Sequence, residues 1–183
     1  MSAVTSVQTL SEPDRRLAAA WAADCAERVL PVFEAAAPDD DRPRLLIART
    51  RAFAHAEVNT ADEIRSRFAG GVGVGEVPDP AAMAAARAAG QAVAVSHMGA
   101  HALGAAGYAA HAVALAHPDQ PDAVHEEIGW QFEHASAQLR GALRALPLLG
   151  EDRSGPLGPG LLANGRVGEF IREFQSRLAE PDC

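Results

Sequence analysis

Leu17, Trp21, Cys25 and Val29 recur at helical spacing, which predicts an amphipathic helix near the start of the chain. Ser11 suits its N-cap, and Glu12, Pro13 and Asp14 suit its first turn. Pro31 should end or kink this helix, because its ring clashes with the carbonyl of Glu27. A second helix is predicted over 41–57, with Asp41 as N-cap and Pro43 in the first turn, burying Leu45, Ala48, Ala52, Phe53 and Ala56. Thr60 to Glu63 form a capping-box pattern ahead of a short helix over 64–68. The glycines of 70–80 read as a loop. A dinucleotide cradle would need a strand before it, and the preceding pattern is helical.

The apolar run over 80–116 is too long for one ordinary helix. A break near His97 to Gly99 divides it into a central pair, 80–96 and 99–116, with Asp79 capping the first. Gly99, Gly104 and Gly107 among the alanines allow close backbone approach. After a turn at 117–122, one helix is predicted over 123–145, with Ile128, Phe132, Leu139, Leu143 and Leu146 inward and Trp130 shielding one end. Residues 150–160, rich in Gly and Pro, read as a linker. The last helix carries Val167, Phe170, Ile171, Phe174 and Leu178 on one stripe, which should dock on the bundle or join a second copy as a homodimer. No strand pattern or long repeat stands out. The expected fold is all-α: a compact multi-helix bundle around an Ala/Gly-rich central pair. Its expected parts are a flexible lead (1–10), a helical body (11–149) and a linker with the docked C-terminal helix (150–183).

Composition sharpens this picture. Alanine fills 41 of 183 positions and aromatic residues are scarce, so the core must come from closely approaching helices. The net charge is −8 and all 16 cations are Arg, which argues against nucleic acid; the acidity either aids solubility alone or steers the chain towards basic partners. Two cysteines make no disulfide framework. Cys25 falls on a buried face, and a reducing cytoplasm is the expected compartment. The first ten residues lack the features of a signal peptide. Residues 88–118 carry no Asp, Glu, Lys or Arg. Their alanines and histidines nevertheless suit a buried bundle centre better than a membrane span.

Candidate chemistry is sparse. His97 and His101, four residues apart, could chelate a metal, but the Glu that zinc hydrolases place after the first His is Met98 here. On a continuous helix Tyr108 and His111 would share their stripe. Trp21, Asp24, His97, His101 and Tyr108 are therefore pocket or polar-network candidates, and a metal- or small-ligand-binding role for the His97/His101 face is the alternative to a protein-binding one. Asp24 reads as an ion-pair partner for Arg42 or Arg44. Asp39, Asp40 and Asp41 form an acidic turn without the alternate spacing of calcium loops. His125, Glu126, Glu127, Glu133 and His134 read as a solvated polar face, because neither the di-iron nor the zinc-protease pattern is complete. No catalytic triad or cofactor fingerprint is present, so no catalytic residue, enzyme activity or cofactor is expected.

Two blocks resemble a known family. One is 21–34, Trp-Ala-Ala-Asp-Cys-Ala-Glu-Arg-Val-Leu-Pro-Val-Phe-Glu, with 39–44, Asp-Asp-Asp-Arg-Pro-Arg. The other is 84–97, Ala-Ala-Ala-Arg-Ala-Ala-Gly-Gln-Ala-Val-Ala-Val-Ser-His, continuing through 99–108. In both, the chain resembles the Imm-5-like family of immunity proteins of bacterial polymorphic toxin systems. The resemblance covers roughly 17–116, weakens to about 146 and does not reach 150–183. It implies an all-helical, non-enzymatic protein that binds a cognate toxin and blocks it by occlusion. The acidic balance suits a basic toxin, with Asp39, Asp40, Asp41 and Arg42 as the contact surface.

Overall fold

The computed structural model describes residues 6–59 and 77–180, so the predicted capping box, the helix over 64–68 and most of the glycine loop lie outside the described residues. Seven α-helices are found among the described residues: α1 (Glu12–Ala36), α2 (Arg42–Ala54), α3 (Pro80–Ala94), α4 (His101–Ala116), α5 (Pro121–His134), α6 (Ala137–Arg144) and α7 (Gly165–Ala179). Two 3₁₀ turns, Val7–Thr9 and Leu161–Ala163, complete them, and there are no strands among the described residues. No helix among them is long and apolar enough to cross a membrane.

The all-α expectation holds, and its central pair is α3 and α4, which pack most extensively on each other. α1 lies across both, α2 lies on α1 and α3, and α7 and α5 cover α4. Ala102 to Ala110 of α4 are buried without interruption. Gly107 shows why small residues are needed: a Cβ there would stand 2.7 Å from Ile171 Cγ1 of α7. The connection between α3 and α4 falls where the 97–99 break was expected.

α1 does not end at Pro31. The proline lies on the exposed face, and Leu30 and Phe33 on either side of it are buried, so packing holds the last turn despite the lost hydrogen bond. α2 ends at Ala54 rather than Glu57, and Leu46 and Ile47 face inward in place of Leu45, which is 53% exposed. Ala48 and Ala56 are exposed as well. The helix expected over 123–145 is two helices. Ala135 is extended, and the Ser136 hydroxyl accepts from Leu139 N, starting α6 afresh.

The lead is not loose at 6–10. Gln8 is buried: its Nε2 donates to Asp152 Oδ2 (2.5 Å) and Ser154 O (2.8 Å), and its Oε1 accepts from Leu157 N (3.0 Å). Gly99 N and Ala100 N donate to Thr9 O and Gln8 O. One side chain thus ties the chain start to the 150–157 loop, and the adjoining backbone ties it to the α3–α4 connection. The α7 stripe of Val167, Phe170, Ile171, Phe174 and Leu178 is buried in the chain's own fold, so it is not offered to a second copy.

Candidate functional site

The acidic turn at 39–42 joins α1 to α2. Asp40 and Arg42 engage each other: Arg42 Nε donates to Asp40 Oδ1 (2.7 Å), which also accepts Arg42 N (3.1 Å). These bonds hold the Asp40 carboxyl below the usual carboxylate range. Asp40 therefore does the capping expected of Asp41, whose side chain makes no cap bond. Asp39 and Asp41 are exposed, and among the described residues neither is in an ion pair. Further along this hairpin the charges are matched. Glu34 pairs with Arg44, while Asp24 and Glu27 share Arg51 rather than Arg42 or Arg44. Uncompensated acidity thus concentrates at the tip of the turn.

Trp21 is a core residue. Its indole Nε1 donates to Gln131 O (2.8 Å), and its ring lies 5.2 Å from that of Phe174. Beside it lies a polar cluster missing from the expectation of a solvated α5 face. Glu127 is 3% exposed, pairs with Arg28 Nε (2.9 Å) and accepts from Gln131 Nε2 (3.2 Å). Arg28 in turn lies over the Trp130 ring at 3.9 Å. The signal was present, since Glu127 shares the α5 stripe of Val124, Ile128 and Gln131, but its cation comes from α1, 99 residues earlier. Cys25 is buried nearby. Burial, with Glu127 and Asp24 adding to it, pushes the thiol well above its ordinary pKa and keeps it a core group rather than a nucleophile.

Arg28→Ala leaves a buried carboxylate with one neutral donor. It is expected to cost about 2 kcal/mol, discounted because the guanidinium is partly exposed. Adding Glu127→Gln should recover much of that loss. A urea double-mutant cycle checks both, and strictly additive losses would contradict the coupling.

His97 and His101 meet in a cleft of about 370 Å³, lined also by Gln91, Met98, Gly155, Pro156, Leu161 and Leu162. Their ring centres are 5.8 Å apart, edge to face. They do not share a continuous helix, since His97 belongs to the connection and His101 opens α4. His101 Nδ1 lies 2.8 Å from Gln91 Oε1, and an amide oxygen only accepts, so Nδ1 carries the proton. Burial, then the nearby His97, lowers the His101 pKa to about 4. Gly104 makes room for this contact: a Cβ there would stand 2.4 Å from Gln91 Oε1.

The other candidates lie elsewhere. Tyr108 is buried under the Arg87 guanidinium, and neither it nor Trp21 lines the cleft. His111 packs against Phe170, and burial, with Arg166 and Arg87 adding to it, lowers its pKa. Among the described residues no three His, Cys, Asp or Glu side chains converge as a metal cage would need.

A family model described as "Imm-5 like putative immunity protein" matches residues 8–138. No curated protein and no solved structure matches the chain.

Proposed function

The chain belongs to the Imm-5-like family of immunity proteins, and from that premise we propose that it binds a cognate toxin and neutralises it by occlusion. The observation that carries this reading is the family match, which runs from Gln8 through α1 to α5 into α6. The charge of −8 supports a basic partner, because unlike charges speed encounter and fix orientation. The contact surface in this reading is the turn Asp39, Asp40, Asp41 and Arg42. Asp39 and Asp41 meet the toxin's cations, and the Asp40–Arg42 pair holds the turn in shape. The protein acts without catalysis or a cofactor, in the cytoplasm, where a reduced Cys25 is the stable form.

Co-expression with the toxin encoded beside its gene tests the reading. Growth should be restored by the wild-type chain. The double reversal Asp39→Arg, Asp41→Arg should slow association about tenfold at low salt and lose its effect at high salt. Unrelieved toxicity with every neighbouring toxin would count against the function. Unchanged association of the reversed variant would count against the turn alone.

A further inference from the structure

We propose that the Asn164–Gly165 bond is a self-modification site, at which the asparagine amide is lost through a cyclic imide and the start of α7 gains a carboxylate. Glycine follows Asn164, so no side chain crowds the attacking backbone nitrogen. Gly165 opens α7, and a first-turn N–H has no acceptor inside its own helix. Among the described residues it donates to no loop carbonyl either. Nothing lies within 4 Å of where a Gly165 Cβ would stand, so the imide ring has space. Both residues are exposed. The Asn164 side chain makes no cap bond to α7, and its Nδ2 donates to Gly160 O (2.9 Å) in the exposed loop. Asn164 is extended, with ψ 151°, so ring closure takes a local opening of that bond and a turn of the backbone, with no core contact broken. The chain's other asparagine, Asn59, precedes Thr60, whose branched Cβ crowds the same attack.

Gly165 N gives its proton to solvent and attacks Asn164 Cγ. The Cγ–Nδ2 bond breaks, and Nδ2 leaves as ammonia. Water then opens the ring. Opening at Cγ gives aspartate with the chain path intact, and opening at the residue's backbone carbonyl gives isoaspartate, whose chain runs through Cβ. Either way one amide and one water become one carboxylate and one ammonium ion, with no oxidant or reductant. The two products differ in effect. Asn164 already has the extended backbone of an N-cap, and aspartate there is a preferred cap beside the positive end of α7. Isoaspartate adds a carbon to the chain where there is no slack. A Cβ on Gly168 would stand 2.6 Å from Ala163 O, which also accepts from Arg172 Nη2 (3.0 Å). α7 carries Ile171 and Phe174 into the core, so displacing its first turn weakens that docking. The site lies outside the residues the family model matches, 8–138.

Ageing the folded full-length protein at mildly alkaline pH, then digesting it with trypsin for mass spectrometry, tests the site against fresh protein as the zero point. Cleavage after Arg153 and Arg166 isolates 154–166, in which Asn164 is the only side-chain amide. That peptide should gain the mass of an amide-to-acid exchange and split into aspartyl and isoaspartyl forms, with isoaspartate in excess. The peptide 52–65, which carries Asn59, should stay unchanged. Asn164→Gln keeps an amide but would have to close a larger ring, and it should stop the change. Aged wild-type protein should melt below fresh protein, while Asn164→Asp and aged Asn164→Gln should keep their melting temperatures. An unchanged 154–166, or equal conversion of 52–65, would overturn the site. Aged protein as stable as Asn164→Asp would overturn its effect on α7.

Discussion

Phe174→Ala is expected to destabilise the protein by about 3–5 kcal/mol, the cost of an aromatic side chain removed from a core that cannot fully collapse. Phe174 is among the largest fully buried side chains. Its ring lies 5.2 Å from Trp21 of α1 and 6.1 Å from Phe132 of α5, so it is where α7 meets two other helices. The Trp21 indole is fixed by its bond to Gln131 O and cannot swing into the vacated space without breaking it. The void would therefore persist, and its neighbours would lose dispersion contacts outright. The midpoint of urea unfolding should fall with the slope unchanged, at any protein concentration. A homodimer seam would behave otherwise: the variant would fold normally, and only the molecular mass would change. That outcome would contradict the intramolecular docking of α7.

Acid should destabilise the protein below pH 6.5 through His101, and the lowered His111 adds to the loss in the same direction. The folded pKa of His101, about 4, lies below the 6.5 of a free imidazole. Above pH 6.5 both states are neutral and the residue adds no pH dependence. From 6.5 down to about 4 the unfolded chain takes up the proton and the folded chain does not, so stability falls as pH falls. Below 4 both are protonated and this loss is complete. The full penalty is about 3 kcal/mol, since each pH interval of one between the two values is worth about 1.4. Protonation of native carboxylates such as Asp40, held low by Arg42, adds to it further down. His101→Gln keeps a polar side chain without an imidazole to titrate, and it should make the curve shallower between pH 6.5 and 4.5, leaving the share of His111. Unfolding free energies that slope equally in both proteins would remove His101 as the cause.

What could be read from the sequence follows from the range of each interaction. Ser11 and Asp79 accept bonds from Asp14 N and Ala82 N, within three residues, and both starts were foreseeable. The α7 stripe and the 97–99 break are equally local. Pro31 does not end α1 because its local cost is outweighed by the burial of Phe33, which depends on helices elsewhere in the chain. Ser136 was a cap signal hidden inside a run of helix formers. Gln8 and Glu127 were unreadable as buried groups, because their partners lie up to 149 and 99 residues away. The site shows the same division. Spacing placed His97 beside His101, but only the packing of α3 on α4 brings Gln91 to them and keeps Tyr108 and Trp21 out of the cleft. At the acidic turn the residue types were legible, yet the choice of Asp40 over Asp41 as the capping group rests on backbone angles that the composition of the turn leaves open.

A protein that acts by covering another is consumed one for one, and titration against the proposed toxin measures that. Purified toxin domain, assayed for its own activity, should lose it linearly as this protein is added, to an end point of one chain per toxin. Both partners should be recovered intact when the complex is separated in denaturant. Inactivation at trace amounts of the added chain, or a chemically altered toxin after separation, would contradict occlusion.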